Sequence, residues 1–399
     1  MEVQRLCQRK RLPAQKRRAP LQTRNDVHAG GSIVKIAVFV NTSAQVHFYK
    51  NIVAALEGDG NQVFVLARDY GETIDLLNEL DIPFFLFSSP PDLKCEHNTS
   101  LPHDVVNAFR YLKGKKIDLT TGWGTYSTFT ARLLKVPDIT FNDGECTIDA
   151  ARYAMFKLTY QFTDVFVTPS SFKQELGSKH LKVESYKELA YLHPNYYTPD
   201  PSVFDLLGIS RSQDYSVLRF NAFDCSHDLG ARLTDAEKIA LVRELSAYGE
   251  VFISSETDVP KQIKEHVLNV PNRRIHDVLY YASLFITDAH TMATEAALLG
   301  TPTIRSNAFV GDCDTGVFIE LEREFRLLLN LKTAAEVAAK AVQLIQDPHT
   351  KENWQKKRDR LLERKLDMVA LMVSLIEGYP PSVARLNAAS AYRGISLLE

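Results

Sequence analysis

The chain predicts an α/β protein of two Rossmann-like parallel-sheet domains in tandem, facing a central cleft, with a C-terminal helix crossing between them. Three observations predict it. Short β-branched and aromatic runs alternate with amphipathic stretches through most of the 399 residues, and near-continuous apolar strands separated by helices belong to parallel sheets covered on both faces. Pro194, Pro199 and Pro201 interrupt that alternation, as an inter-domain linker does. The alternation then restarts. In such folds ligands bind in the crevice beyond the carboxyl ends of the strands.

In the first domain, Ile33–Val40 reads as a strand, Val46–Glu57 as a helix, Gln62–Ala67 as a strand and Gly71–Leu80 as a helix. Pro83–Phe87, Ile117–Thr120, Asp138–Phe141 and Val165–Thr168 continue the strands. In the second domain the strands are Ser216–Phe220, Glu250–Ser254, Leu284–Thr287 and Thr303–Arg305. Its helices are Asp235–Ala247, Ile275–Ala282, Thr291–Leu299 and Thr333–Gln346. Lys351–Glu377 reads as one long helix, basic in its first half and apolar in its second. Such a helix packs across the two domains or makes a peripheral membrane contact. The expected boundaries are a basic arm over 1–32, domains over 33–192 and 193–347, the helix within 348–380 and a loose tail over 381–399.

Composition narrows the class. Hydrophobic residues at 45% and charged residues at 24% are the balance of a soluble globular chain. No run of eighteen apolar residues could span a bilayer, and residues 1–24 lack the apolar core of a secretory signal. Five scattered cysteines without a CxxC pair argue against a zinc site or disulfide framework and for a reducing, cytoplasmic setting. Eight basic residues and one acidic residue precede position 25, so the rest of the chain carries a net −9 beneath the overall −2. A body this acidic does not attract nucleic acid. The arm reads as a disordered leader or as a start placed too early.

Phosphate-loop, HExxH and GxSxG motifs are absent, and no spacing suits a metal. Gly122–Ser127 has the glycines of a tight strand-to-helix turn with a ligand-facing backbone but lacks the third glycine of a dinucleotide fingerprint. The strongest candidate is LFITDAHTMATEAALLGTPTIR, Leu284–Arg305. A strand ends at Thr287, a polar turn follows and a helix starts near Thr291, whose first N–H groups suit a diphosphate. Glu295 lies on the same face as Thr291, where a carboxylate can accept from two vicinal ribose hydroxyls. Asp288, Thr291, Met292 and Glu295 are therefore the nucleotide candidates here, with Asp288 as a simple N-cap the competing account.

The run ITDAHTMATEAALLGTP resembles the nucleotide-sugar segment of GT-B-fold glycosyltransferases and of the related UDP-N-acetylglucosamine 2-epimerases. Residues 33–380 also resemble an uncharacterised, mostly archaeal family, through VNTSAQVHFYKNIV, VLARDYGETIDLL, FNDGE, YKELAYLHPNYYTPDPSVFDLLGI and VLRFNAFDCSHDLG. The resemblance implies a GT-B-like fold and a nucleotide-sugar substrate, UDP-linked, with no resident cofactor and an acceptor to be found. It directs attention to three further turns. His47, after the first strand, is a candidate base or a polar helix start. Glu145 occupies the place of an epimerase glutamate, although Asn142-Asp143 replaces the usual His-Val; Asp143 and Glu145 are candidate catalytic acids or caps of the next helix. Arg219, with Ser226 and His227, matches in place the epimerases' basic turn and would meet the diphosphate, or Arg219 would pair with Asp224 or Asp228. Metal-independent sugar transfer, 2-epimerisation and nucleotide-sugar binding without turnover all use this pocket.

Overall fold

The computed structural model describes residues 33–88, 100–145, 150–220, 233–255, 258–306, 311 and 314–386, and the architecture below is theirs. The basic arm over 1–32 lies outside them. The first sheet comprises β1 (Lys35–Val40), β2 (Gln62–Arg68), β3 (Phe84–Ser88), β4 (Leu119–Gly122), β5 (Asp138–Phe141), β6 (Val165–Pro169) and β7 (His180–Val183). They stand in the order β3-β2-β1-β4-β5-β6-β7, every pairing parallel. Helices α1 (Ser43–Gly58), α2 (Thr73–Glu79), α3 (Leu101–Leu112), α4 (Thr125–Leu134) and α5 (Ala150–Phe162) connect them. Two short helices, α6 (Leu189–Leu192) and α7 (Val203–Leu207), lead through the proline-rich stretch.

The second sheet is also parallel, in the order β12-β11-β10-β8-β9. Its strands are β8 (Tyr215–Phe220), β9 (Glu250–Ser255), β10 (Leu284–Thr287), β11 (Thr303–Ser306) and β12 (Leu328–Leu331). Around it lie α8 (Asp235–Leu245), α9 (Ile275–Tyr281), α10 (His290–Leu298), α11 (Gly316–Arg323) and α12 (Ala334–Gln346), and α13 (Thr350–Arg364) and α14 (Met368–Glu377) follow. Both sheets reverse strand order beside their first strand, between β1 and β4 and between β8 and β10, which opens a crevice at their carboxyl ends.

The central strands are apolar because both faces are covered. Ile36–Val40 of β1 are at most 1% exposed, between β2 and β4 in register at Val63 and Leu119. The buried Asp138 of β5 is the exception. Hydroxyls of Thr120, Thr128 and Thr140 donate to it at 2.7 Å and that of Thr163 at 3.0 Å, which satisfies a carboxyl whose pKa burial pushes up. The Gly122–Ser127 turn does join strand to helix. Gly124, at φ 108°, is the residue before α4, and Trp123 packs 5.0 Å from the Phe48 ring.

The C-terminal segment departs from the expected single helix. It breaks at Lys365–Asp367, where Asp367 caps α14 by accepting from Val369 and Ala370. Two carboxylates pull the Lys365 side chain inward, Glu184 at 3.0 Å and Glu320 at 2.6 Å, and Leu366 N–H donates to the Glu184 carbonyl. Long-range pairing here overrides local helix propensity. Met368, Val369, Leu371, Met372, Leu375 and Ile376 are buried in the core, so the apolar half of this segment packs inward. Among the described residues no helix is long and apolar enough to cross a bilayer. The tail also starts later than expected: residues 381–386 are helical, and Ser382 Oγ donates to the Leu375 carbonyl.

Candidate functional site

Turns beyond the strands of the first sheet meet the carboxyl ends of the second. Tyr191 of α6 donates its hydroxyl to Glu295 Oε1 at 2.7 Å, and His276 Nε2 of α9 lies 3.2 Å from the same oxygen. Glu295 is 5% exposed. Sequence reasoning placed it at the edge of an open cleft; in the structure it is buried in the seam. Burial would raise its pKa, but the neighbouring His276 and the hydrogen bonds from His276 and Tyr191 hold it below the ordinary carboxylate value. Oε1 is thus engaged twice.

α10 starts at His290, one residue earlier than predicted. Ala289, whose side chain has no polar atom to cap with, occupies the N-cap position, so Asp288 is not the cap residue. Thr287 Oγ1 accepts from Ala289 N–H instead, at 2.8 Å. Thr291 and Met292 are half-buried in the first turn.

His47 enters the seam from α1. Its ring lies 5.2 Å from those of both Tyr191 and His276. Its Nδ1 is buried without a hydrogen-bond partner, as is Asn41 Oδ1 at the end of the same turn. Burial, then His276 and Lys50, pull the His47 pKa down to about 3, so the ring is neutral in this state.

Asp143 and Glu145 come near this cluster already partnered. Asp143 Oδ2 lies 2.7 Å from Lys187 Nζ, and the same ammonium is 3.6 Å from Glu188. Burial pushes the Glu188 carboxyl up to about 8 despite Lys187. Burial alone would lower Lys187, but Asp143 and Glu188 raise it above the ordinary lysine value. Glu145 Oε1 accepts from the backbone N–H of Lys173 at 3.1 Å and of Gly316 at 2.9 Å. It thus caps α11 of the other half; the turn that leads into the next helix in sequence, 146–149, lies outside the described residues. Arg219 donates to Ser254 Oγ at 2.7 Å. Ser226, His227, Asp224 and Asp228 lie outside the described residues.

The structure therefore brings His47, Glu295 and Asp143 toward one seam and adds Lys187, Glu188, Tyr191 and His276, which sequence reasoning did not single out. The signal for three of these was the run Tyr186–Tyr191, quoted only as a resemblance. His276 carried none, because one histidine in a short helix looks like any core residue. Among the described residues no group of three or more His, Cys, Asp or Glu is arranged to hold a metal.

No family model matches the chain, and no curated protein matches it. Solved structures do. A UDP-GlcNAc 2-epimerase from Methanocaldococcus jannaschii superposes with a TM-score of 0.60 at 15% identity, over 82% of this chain and 99% of that one. The UDP-GlcNAc 2-epimerase from Neisseria meningitidis bound to UDP-GlcNAc gives 0.59 at 11% identity, over 88% and 99%. Spinosyn forosaminyltransferase SpnP gives 0.58 at 12% identity, over 86% and 100%. Two parallel sheets whose strand ends meet, over nearly the full length of these chains, define a GT-B-like fold.

Proposed function

We propose that this chain binds a nucleotide-sugar, UDP-linked, in the seam between its sheets and transfers the sugar to an acceptor without a metal. The observation that carries this reading is Glu295, a carboxylate preset by Tyr191 and His276 on α10, in the same cluster as His47, whose Nδ1 has no partner and whose ring lies 5.2 Å from that of His276. The N-terminal N–H groups of α10 would take the diphosphate and Glu295 Oε2 a ribose hydroxyl. His47 Nδ1 would take the acceptor's hydroxyl proton as the new bond to the anomeric carbon forms. The old bond from that carbon to the diphosphate oxygen breaks, and the nucleoside diphosphate leaves with the electron pair. An incoming phosphate raises the His47 pKa from its depressed value. Arg219 stands at the end of β8, level with Thr287 in register, where it can meet the same diphosphate.

A second reading, 2-epimerisation, is favoured by the pair Asp143 and Glu145 in the turn after β5 and by the epimerases among the structural neighbours. Both carboxylates are engaged in this state, so that reading requires ligand or opening of the seam to release them. Turnover with UDP-sugars separates the two. Acceptor-stimulated UDP release supports transfer, an isomerised sugar supports epimerisation, and binding alone leaves a sensor or carrier. His47→Ala should abolish transfer with nucleotide binding nearly intact; Asp143→Asn or Glu145→Gln should abolish epimerisation. Wild-type rates in all three variants would refute both assignments. On the same reading the chain belongs to the uncharacterised family whose runs it carries and works in the cytoplasm.

A further inference from the structure

Arg305, in β11, is a guanidinium with no exposed surface. Its Nε donates to Asn330 Oδ1 at 2.8 Å, its Nη2 donates to the Asp314 carboxylate, and its plane lies 3.7 Å over the Phe318 ring. These contacts fix the fork. Nη1, however, is buried and donates to nothing. An unpaired N–H on a buried cation is costly, and folded interiors seldom leave one without a use.

Its surroundings give it one. Arg305 stands opposite Thr287 in the parallel register of β10 and β11, and Thr287 holds the residue before α10. His290, the first residue of that nine-residue helix, has its ring 5.2 Å from the same Phe318 that carries Arg305. The guanidinium and the helix start therefore flank one aromatic ring. Ala289, at the N-cap position, has no polar side chain to cap it.

We propose that Arg305 Nη1 and the N-terminus of α10 form one subsite for the terminal phosphate of a nucleoside diphosphate. Asp314, Asn330 and Phe318 hold the guanidinium in aim. A planar fork of donors matches tetrahedral phosphate oxygens in a way an ammonium does not. The second phosphate, more than the nucleoside, is what this subsite reads. The inference rests on the nucleotide-binding reading above and adds to it a residue and the group recognised.

Calorimetry with UDP and UMP, on wild type and Arg305→Lys, tests it. Lysine keeps a cation for Asp314 and loses the Nη1 donor. The expected result is a wild-type preference for UDP over UMP of about tenfold or more, which Arg305→Lys removes by weakening UDP alone. Equal loss of UDP and UMP, or loss of neither, overturns the subsite. Phe318→Leu, which removes the ring that aims the guanidinium, should likewise weaken UDP and leave UMP unchanged, and it carries the test if Arg305→Lys does not fold. Equal wild-type affinity for UDP and UMP overturns the subsite while the nucleotide reading survives; no affinity for either overturns both.

Discussion

Glu295 shows how one side chain can be legible while its environment is not. A glutamate on the first turns of a helix after a polar strand end is visible in the sequence, but its partners Tyr191 and His276 come from short helices elsewhere in the chain. Their presence changes what a substitution does. Glu295→Ala should weaken UDP binding by about tenfold or more, and it should also lower stability by about 1–3 kcal/mol, because a buried hydroxyl and imidazole lose their acceptor. The burial of the residue, 5% exposed, is what couples the change to stability. Calorimetry and urea denaturation of the same variant check both, and an unchanged denaturation midpoint would contradict the second. The histidines add a pH dependence. Burial lowers His47 from 6.5 to about 3 and His180 from 6.5 to about 4. The unfolded chain takes up these protons near 6.5 and the folded chain does not, so stability is complete above about pH 6.5 and falls on acidification. The loss is about 1.4 kcal/mol per pH unit for the buried His47 within its window and smaller for His180, which solvent partly screens. Melting temperatures between pH 7.5 and 5 should show the fall, with a shallower slope in His47→Gln; a slope unchanged by that variant would rule His47 out as a contributor.

Among elements, β1 and β10 are readable because continuous apolar runs permit little else. β7 (HLKV) and β12 (LLNL) are four-residue strands without a distinguishing pattern, and α11 is held partly from outside. Its first N–H is capped by Glu145 of the other half, and Glu320 on it accepts from Tyr186 at 2.5 Å and from Lys365 at 2.6 Å. Local propensity contains none of this. Gly316 is the tightest point: a Cβ there would stand 1.7 Å from the Ser171 carbonyl oxygen and 3.0 Å from Glu145 Oε1. Gly316→Ala should therefore push α11 off its cap and cost about 1–3 kcal/mol, the range of overpacking. Denaturant unfolding measures it, and an alanine variant as stable as wild type would show that the two turns do not need this approach.

Across the whole molecule the two-sheet plan follows from the proline break, but the route of the chain does not. α13 grips the second half. Gln355 donates to the carbonyls of Leu299 and Gly300, Arg358 to that of Leu298, and Lys351 to those of Tyr280 and Ala282. α14 then returns to the first half, packing on α1 and α6, with Asn61 donating to Glu377 at 2.7 Å. A chain ending at Arg364 should accordingly lose cooperative melting in the first half; circular dichroism and light scattering check it, and a melt matching the full chain would refute it. The same return sets a timetable for biosynthesis. The first sheet's last strand emerges at Val183, yet the helix covering α1 and α6 begins only at Met368. At about 5–20 residues per second this leaves an apolar flank uncovered for on the order of ten seconds or more on the ribosome. That interval is when the nascent protein is most open to capture by a holding chaperone or by a neighbouring chain.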